Sequence, residues 1–106
     1  MASSPDLKPV PNIKDIMLAC GEEYDISVSN TIQVEDCDNI SAVERTKMFN
    51  ELNRKWFVEA LSQCGALSDC ANPEVVDFEA TPGSCEREGD ARYWTQTAIF
   101  KTKCTP

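Results

Sequence analysis

Histidine is absent from all 106 residues. That excludes Ser-His-Asp and Cys-His nucleophile activation, imidazole acid–base catalysis and every histidine-containing metal site. No C-x-x-C pair occurs either, so there is no zinc knuckle and no thioredoxin-like redox turn, both of which need two sulfurs from one tight bend. Long apolar runs are missing, and no stretch approaches the roughly 18 residues of a membrane span. Basic residues are scarce: 10 Lys and Arg stand against 18 Asp and Glu, for a net charge of −8. Electrostatics of that sign disfavours nucleic acid and anionic lipid and favours a protein partner with a basic surface. No cofactor and no metal are expected, since the acidic run Glu35 to Asn39 lacks the alternating Asp frame of a calcium loop.

What the chain does have is cysteine. Cys20, Cys37, Cys64, Cys70, Cys85 and Cys104 are separated by 16, 26, 5, 14 and 18 residues. An even number of thiols in a chain the length of one domain predicts three structural disulfides and an oxidising compartment, because so small a core stabilises poorly by itself. Six cysteines allow many pairings, and spacing does not choose among them. The expected location is therefore secreted and extracellular, with a signal peptide already removed, since no secretory apolar segment opens the sequence. Asn39-Ile40-Ser41 is an N-glycosylation sequon, which fits that route.

Pro5, Pro9 and Pro11 with Ser3 and Ser4 predict a flexible arm over residues 1–11, and residues 12–106 form the single domain. Ile13, Ile16, Met17 and Cys20 fall at helical spacing behind Asn12, which predicts a short helix ended by Gly21. Tyr24, Ile26, Val28, Ile32 and Val34 then alternate with polar residues. A two-residue hairpin turn at Ser29-Asn30 would split these five between two faces, so one long strand is the better reading.

The clearest signal is the next helix. Ser41-Ala42-Val43-Glu44 is a capping box, and Cys64-Gly65 supplies a left-handed terminator. Phe49, Leu52, Trp56 and Ala60 form one apolar stripe and Phe57, Leu61 and Cys64 an adjoining one, on a helix about 35 Å long. Arg45, Lys47, Arg54 and Lys55 are interleaved with Glu44, Glu51 and Glu59, the pattern of a solvated face with i,i+4 pairs. Val75, Val76, Phe78 and Ala80 read as a strand, Thr81 to Gly89 as a long loop holding Cys85, and Arg92 to Cys104 as a last strand. The fold class is α+β: one long amphipathic helix packed on a mainly antiparallel sheet and stapled by disulfides.

The order strand, long helix, strands resembles the cystatin arrangement, but the Q-x-V-x-G hairpin is missing after Gln33, Gln63 and Gln96. Size, acidity and a single long helix are similar to the small fungal ribonucleases, whose proton transfer depends on the histidine missing here. Small secreted effector and killer-toxin-like proteins of fungi share the general plan of a cysteine-stapled α+β sandwich.

Carboxylates are the remaining acid–base groups, and a glycosidase-like pair needs a cleft that a domain this small seldom forms. The expected function is thus a secreted, non-enzymatic binding protein, an effector, toxin-like factor or extracellular ligand. The alternatives are an inhibitor of an extracellular enzyme using residues 81–90 and, behind it, a histidine-free carboxylate hydrolase. Trp56 and Trp94 are expected in the core. Phe57 and Tyr93 are candidates for an exposed aromatic patch, and Glu86, Arg87 and Glu88 for a charged contact loop.

Overall fold

The computed structural model describes residues 20–67 and 69–106. The arm expected over 1–11 and all but the last residue of the short helix expected from Asn12 to Cys20 lie outside them. The described chain runs β1 (Tyr24–Val34), α1 (Ala42–Cys64), β2 (Asn72–Ala80), β3 (Ser84–Glu88) and β4 (Ala91–Thr105). One helix on a four-stranded antiparallel sheet is the α+β class read from the pattern.

β4 is the central strand. β1 pairs along one of its edges in an unbroken register from Tyr24↔Thr102 to Val34↔Arg92, so the five alternating apolar residues stay on one face. β2 and β3 follow one another along the opposite edge, interrupted by a bulge between Val75 and Asp77 and by the bend at residues 81–83. Residues 81–90 are therefore not the long loop that their Pro and Gly content suggested. β3 and β4 form a tight hairpin through Gly89-Asp90, with Gly89 at φ 66°. Positive φ at the first of two turn residues is what short hairpins need.

The helix starts as its capping box predicts. Ser41 Oγ accepts from the Glu44 N–H at 3.1 Å, and Glu44 Oε1 accepts from the Ser41 N–H at 2.9 Å. Its other carboxylate oxygen accepts from the Glu35 N–H at 3.0 Å, which ties the exit of β1 to the helix. The terminus differs from expectation: Gly65 has φ −62°, ψ −18°, a right-handed conformation. Its N–H still donates to Leu61 O at 2.9 Å, and the chain winds on through tight turns, Leu67 N–H to Cys64 O and Cys70 N–H to Leu67 O. Continued winding satisfies the last carbonyls, so no left-handed cap is required.

The core lies between α1 and one face of β1 and β4. Met48, Leu52, Trp56, Ala60 and Cys64 are buried at strict four-residue spacing, opposite Ile26, Ile32 and Val34 of β1 and Trp94, Ala98 and Phe100 of β4. Both tryptophans are core residues, as expected. Trp56 Nε1 donates to the buried Thr102 Oγ1 at 3.0 Å, which in turn donates to Phe100 O. Three disulfides close the structure: Cys20–Cys70, Cys37–Cys85 and Cys64–Cys104. The Tyr24 phenol lies 4.0 Å from both sulfurs of Cys64–Cys104, and burial, then the charge of Glu59, raises its pKa.

Candidate functional site

A helix that buries every fourth residue has two flanks of different composition. The residues just before the buried ones, on the first flank, are Lys47, Glu51, Lys55, Glu59 and Gln63. Each residue just after lies on the second: Phe49, Asn53, Phe57 and Leu61. The charged flank faces β1, because Lys55 Nζ donates to Ser29 O at 2.8 Å. The apolar flank faces β2, where Phe49 meets Phe78 with ring centroids 6.2 Å apart.

The helix sits nearer β1, so β2 is left largely uncovered. Every β2 residue except Pro73 is exposed, although the strand carries Val75, Val76, Phe78 and Ala80. Between the apolar flank and β2 runs a trough. Phe49, Asn53, Val75, Phe78 and Phe100 line a hollow of about 390 Å³ in it. Phe57 is 48% exposed, Leu61 46% and Phe78 43%.

The aromatic rings form a continuous chain from core to surface. Trp94 contacts Phe49, Phe49 contacts Phe78, Phe78 packs edge-on against Phe100 at 5.0 Å, Phe100 stacks on Trp56 at 5.5 Å, and Trp56 touches Phe57. A surface aromatic backed by a ring already held in the core has little conformational freedom left to lose on binding, which is what an interface anchor requires. Exposed apolar residues gathered beside such a hollow are what makes this region the candidate site.

The two aromatic candidates do not meet. Phe57 borders the trough, whereas Tyr93 lies on the opposite, helix-free face of the sheet, since its neighbour Trp94 points into the core and successive strand residues alternate. Tyr93 pairs across with Gln33 and Glu86. Glu86, Arg87 and Glu88 are exposed but divided: Glu86 and Glu88 share the face of Tyr93, and Arg87 projects to the other beside its partner Arg92. Residues 81–90 are thus a rigid hairpin arm, cross-linked near its base by Cys37–Cys85. Asn39 is exposed in the turn before the helix, its N–H donating to Asp36 O at 3.2 Å.

The helix-free face is polar. Glu74 lies opposite Lys103, with 3.8 Å between their charged groups, and Asp77 lies opposite Lys101. Such cross-strand pairs account for the charges there as sheet stabilisation. Two carboxylates are held below their usual range: Glu44 by the backbone N–H groups of Ser41 and Glu35, and Glu51 by Arg54. Both are thereby kept ionised, the opposite of what a general acid needs. Among the described residues no three His, Cys, Asp or Glu side chains converge to hold a metal ion, and no helix is long and apolar enough to cross a membrane.

Val75, which lines the hollow, and the exposed Val76 and Leu61 are not interface candidates in the sequence. They read there as ordinary strand and helix core. Only the sideways seat of α1 on the sheet exposes them, and nothing in the periodicity reports that offset. No family model matches the chain, and no curated protein or solved structure matches it either; the likenesses to cystatins, ribonucleases and fungal effectors rest on element order and composition alone.

Proposed function

We propose that this chain is a secreted, disulfide-stabilised, non-enzymatic binding protein, an effector, toxin-like factor or extracellular ligand, acting by protein–protein contact through the trough between α1 and β2. The observation that carries the reading is the apolar hollow lined by Phe49, Val75, Phe78 and Phe100, with core aromatics behind it and Phe57 and Leu61 exposed further along the same helix flank. Three disulfides support an oxidising compartment. The lack of histidine supports a role without turnover. A net charge of −8 favours a partner whose apolar contact is rimmed by basic residues.

The test is capture from extracellular fluid or host-cell extract with the oxidised chain, run beside a reduced and alkylated control and the double variant Phe57→Asp/Phe78→Asp. The expected result is a partner retained by the oxidised protein and lost by both controls, while circular dichroism of the variant is unchanged. Equal capture by wild type and variant overturns the assignment to the trough. A hydrolase screen with activity abolished by a single carboxylate substitution overturns the non-enzymatic reading.

A second reading has its own observation. The β3–β4 hairpin is pinned by Cys37–Cys85 and presents Glu86, Arg87 and Glu88 to solvent, the form of a rigid loop that inhibits an extracellular enzyme. Replacing those three residues would then abolish inhibition and leave the fold intact.

A further inference from the structure

Of the six asparagines in the chain, Asn39 alone is followed by x-Ser or x-Thr with x not proline. The fold sets that tripeptide in the turn between β1 and α1. Ile40 packs against the core cluster, while Asn39 and Ser41 on either side of it are exposed. The turn is held from the backbone, the Asn39 N–H donating to Asp36 O at 3.2 Å. An asparagine so placed can carry a bulky, hydrated group without disturbing the packing beneath it.

Asn39 also lines a hollow of about 610 Å³, together with Glu35, Asp36, Ser41, Val43 and Glu44. Val43 is 78% exposed, more than any other large apolar side chain among the described residues. Around it the rim is acidic. Both Glu44 oxygens are taken by backbone amides, those of Ser41 and Glu35, and Asp36 Oδ1 accepts from the Asp38 N–H. An anion is repelled by such a rim, and a purely apolar group leaves its oxygens unpaired. A neutral occupant with hydroxyl and amide donors and one methyl group suits it, and an N-acetylhexosamine has that composition.

We propose that Asn39 carries an N-linked oligosaccharide whose first N-acetylglucosamine lies in this hollow with its acetyl methyl on Val43. Asn39 Nδ2 attacks C1 of the first sugar of a lipid-pyrophosphate-linked oligosaccharide. The N–C1 bond forms as the C1–O bond breaks, the lipid pyrophosphate leaves with that electron pair, and one amide proton passes to a base of the transferase. The inference rests on the secretory reading above, since the lipid-linked donor meets only chains that enter that route. It does not rest on the trough: Phe57 lies 15 residues beyond Ala42 in α1, about 22 Å along its axis. The sugar stands instead beside the β3–β4 hairpin, to which Cys37–Cys85 fastens this turn.

The Ser41 hydroxyl is needed twice, by the transferase that reads the sequon and by the helix that it caps. Substitution separates the two. The full chain is exported from a eukaryotic cell behind a cleavable signal peptide, and the oxidised product is weighed by mass spectrometry before and after peptide-N-glycosidase. One glycan is expected, its removal converting the Asn39 amide to a carboxylate. Asn39→Gln and Ser41→Asp are each expected to abolish it, the latter with helix content unchanged because Asp also caps, and Ser41→Thr to retain it. With the oligosaccharide trimmed to its first sugar, a nuclear Overhauser contact between the acetyl and Val43 methyls is expected. The Glu44 and Arg45 amides, which close the cap, are expected to exchange at least about threefold more slowly than in Asn39→Gln. An exported, fully oxidised chain with Asn39 unmodified overturns the proposal, as does a glycan that leaves Val43 untouched. A chain retained in the cell with free thiols overturns the secretory reading and this inference with it.

Discussion

Gly83 shows how one residue can be dictated by packing instead of backbone conformation. A Cβ added there would stand 2.6 Å from Gln96 Oε1, 2.7 Å from Trp94 Nε1 and 3.0 Å from Thr95 O. The bend between β2 and β3 thus presses its backbone onto the buried Trp94 and Gln96, whose amide donates to Thr97 O and Thr81 O. Gly83→Ala is expected to lower stability by about 1–3 kcal/mol, the cost of overpacking a filled site, measured by urea unfolding. Glu44 makes a second prediction at this scale. Its folded pKa is depressed by the Ser41 and Glu35 amides, so the stability it contributes is complete above the unfolded value near 4.5 and is lost as pH falls through the lower folded one. The urea midpoint of the wild type is expected to drop on acidification below that value, and that of Glu44→Ala to drop less. The capping box was fully legible in the sequence, because its partners are three residues apart; the Glu35 amide, nine residues away, was not.

The helix illustrates what periodicity reports at the scale of an element. Its span and cap follow from local signals, and the buried row does run at four-residue intervals. Its breadth, however, was read too wide. The stripe Phe57, Leu61, Cys64 was expected to face the sheet, but Cys64 alone is buried, while Met48, outside both expected stripes, is fully buried. A hydrophobic pattern says which residues prefer burial and not whether a second surface is there to receive them. Substitution separates the two rows. Leu52→Ala removes a side chain with 0% exposure and is expected to cost about 2–5 kcal/mol, whereas Leu61→Ala, 46% exposed, is expected to cost less than about 1 kcal/mol. Chemical denaturation of the two variants in parallel makes the comparison. Residues 81–90 differ from the loop their composition predicts for a related reason: Pro82, Gly83 and Gly89 are turn formers that sit at the two ends of β3, and the five residues between carry too little apolar pattern to announce a strand.

Across the whole molecule, the disulfides bind elements that the sheet alone leaves loosely attached. Cys64–Cys104 joins the end of α1 to the end of β4, Cys37–Cys85 joins the β1–α1 connection to the hairpin, and Cys20–Cys70 joins the entry of β1 to that of β2. The helix is most in need of this, since it rests on one side of the sheet and leaves β2 exposed. Replacing Cys64 and Cys104 together by Ala, closing loops of 40 residues no longer, is expected to lower stability by about 2–5 kcal/mol. Calorimetry of the oxidised variant measures it, and loss of the Tyr24 contact with the sulfurs supplies a spectroscopic control.

Sequence alone determined the chemistry that is excluded, the oxidised cysteine framework in kind, and the α+β class, because these follow from residue types and from patterns within a few positions. The disulfide pairing, the separation of Phe57 from Tyr93 onto opposite faces and the trough were decided only in three dimensions. All three depend on where α1 settles across the sheet and which edge of β4 each strand takes, and those are contacts between residues well separated in the chain, such as Ser29 with Lys55, Phe49 with Phe78 and Cys64 with Cys104.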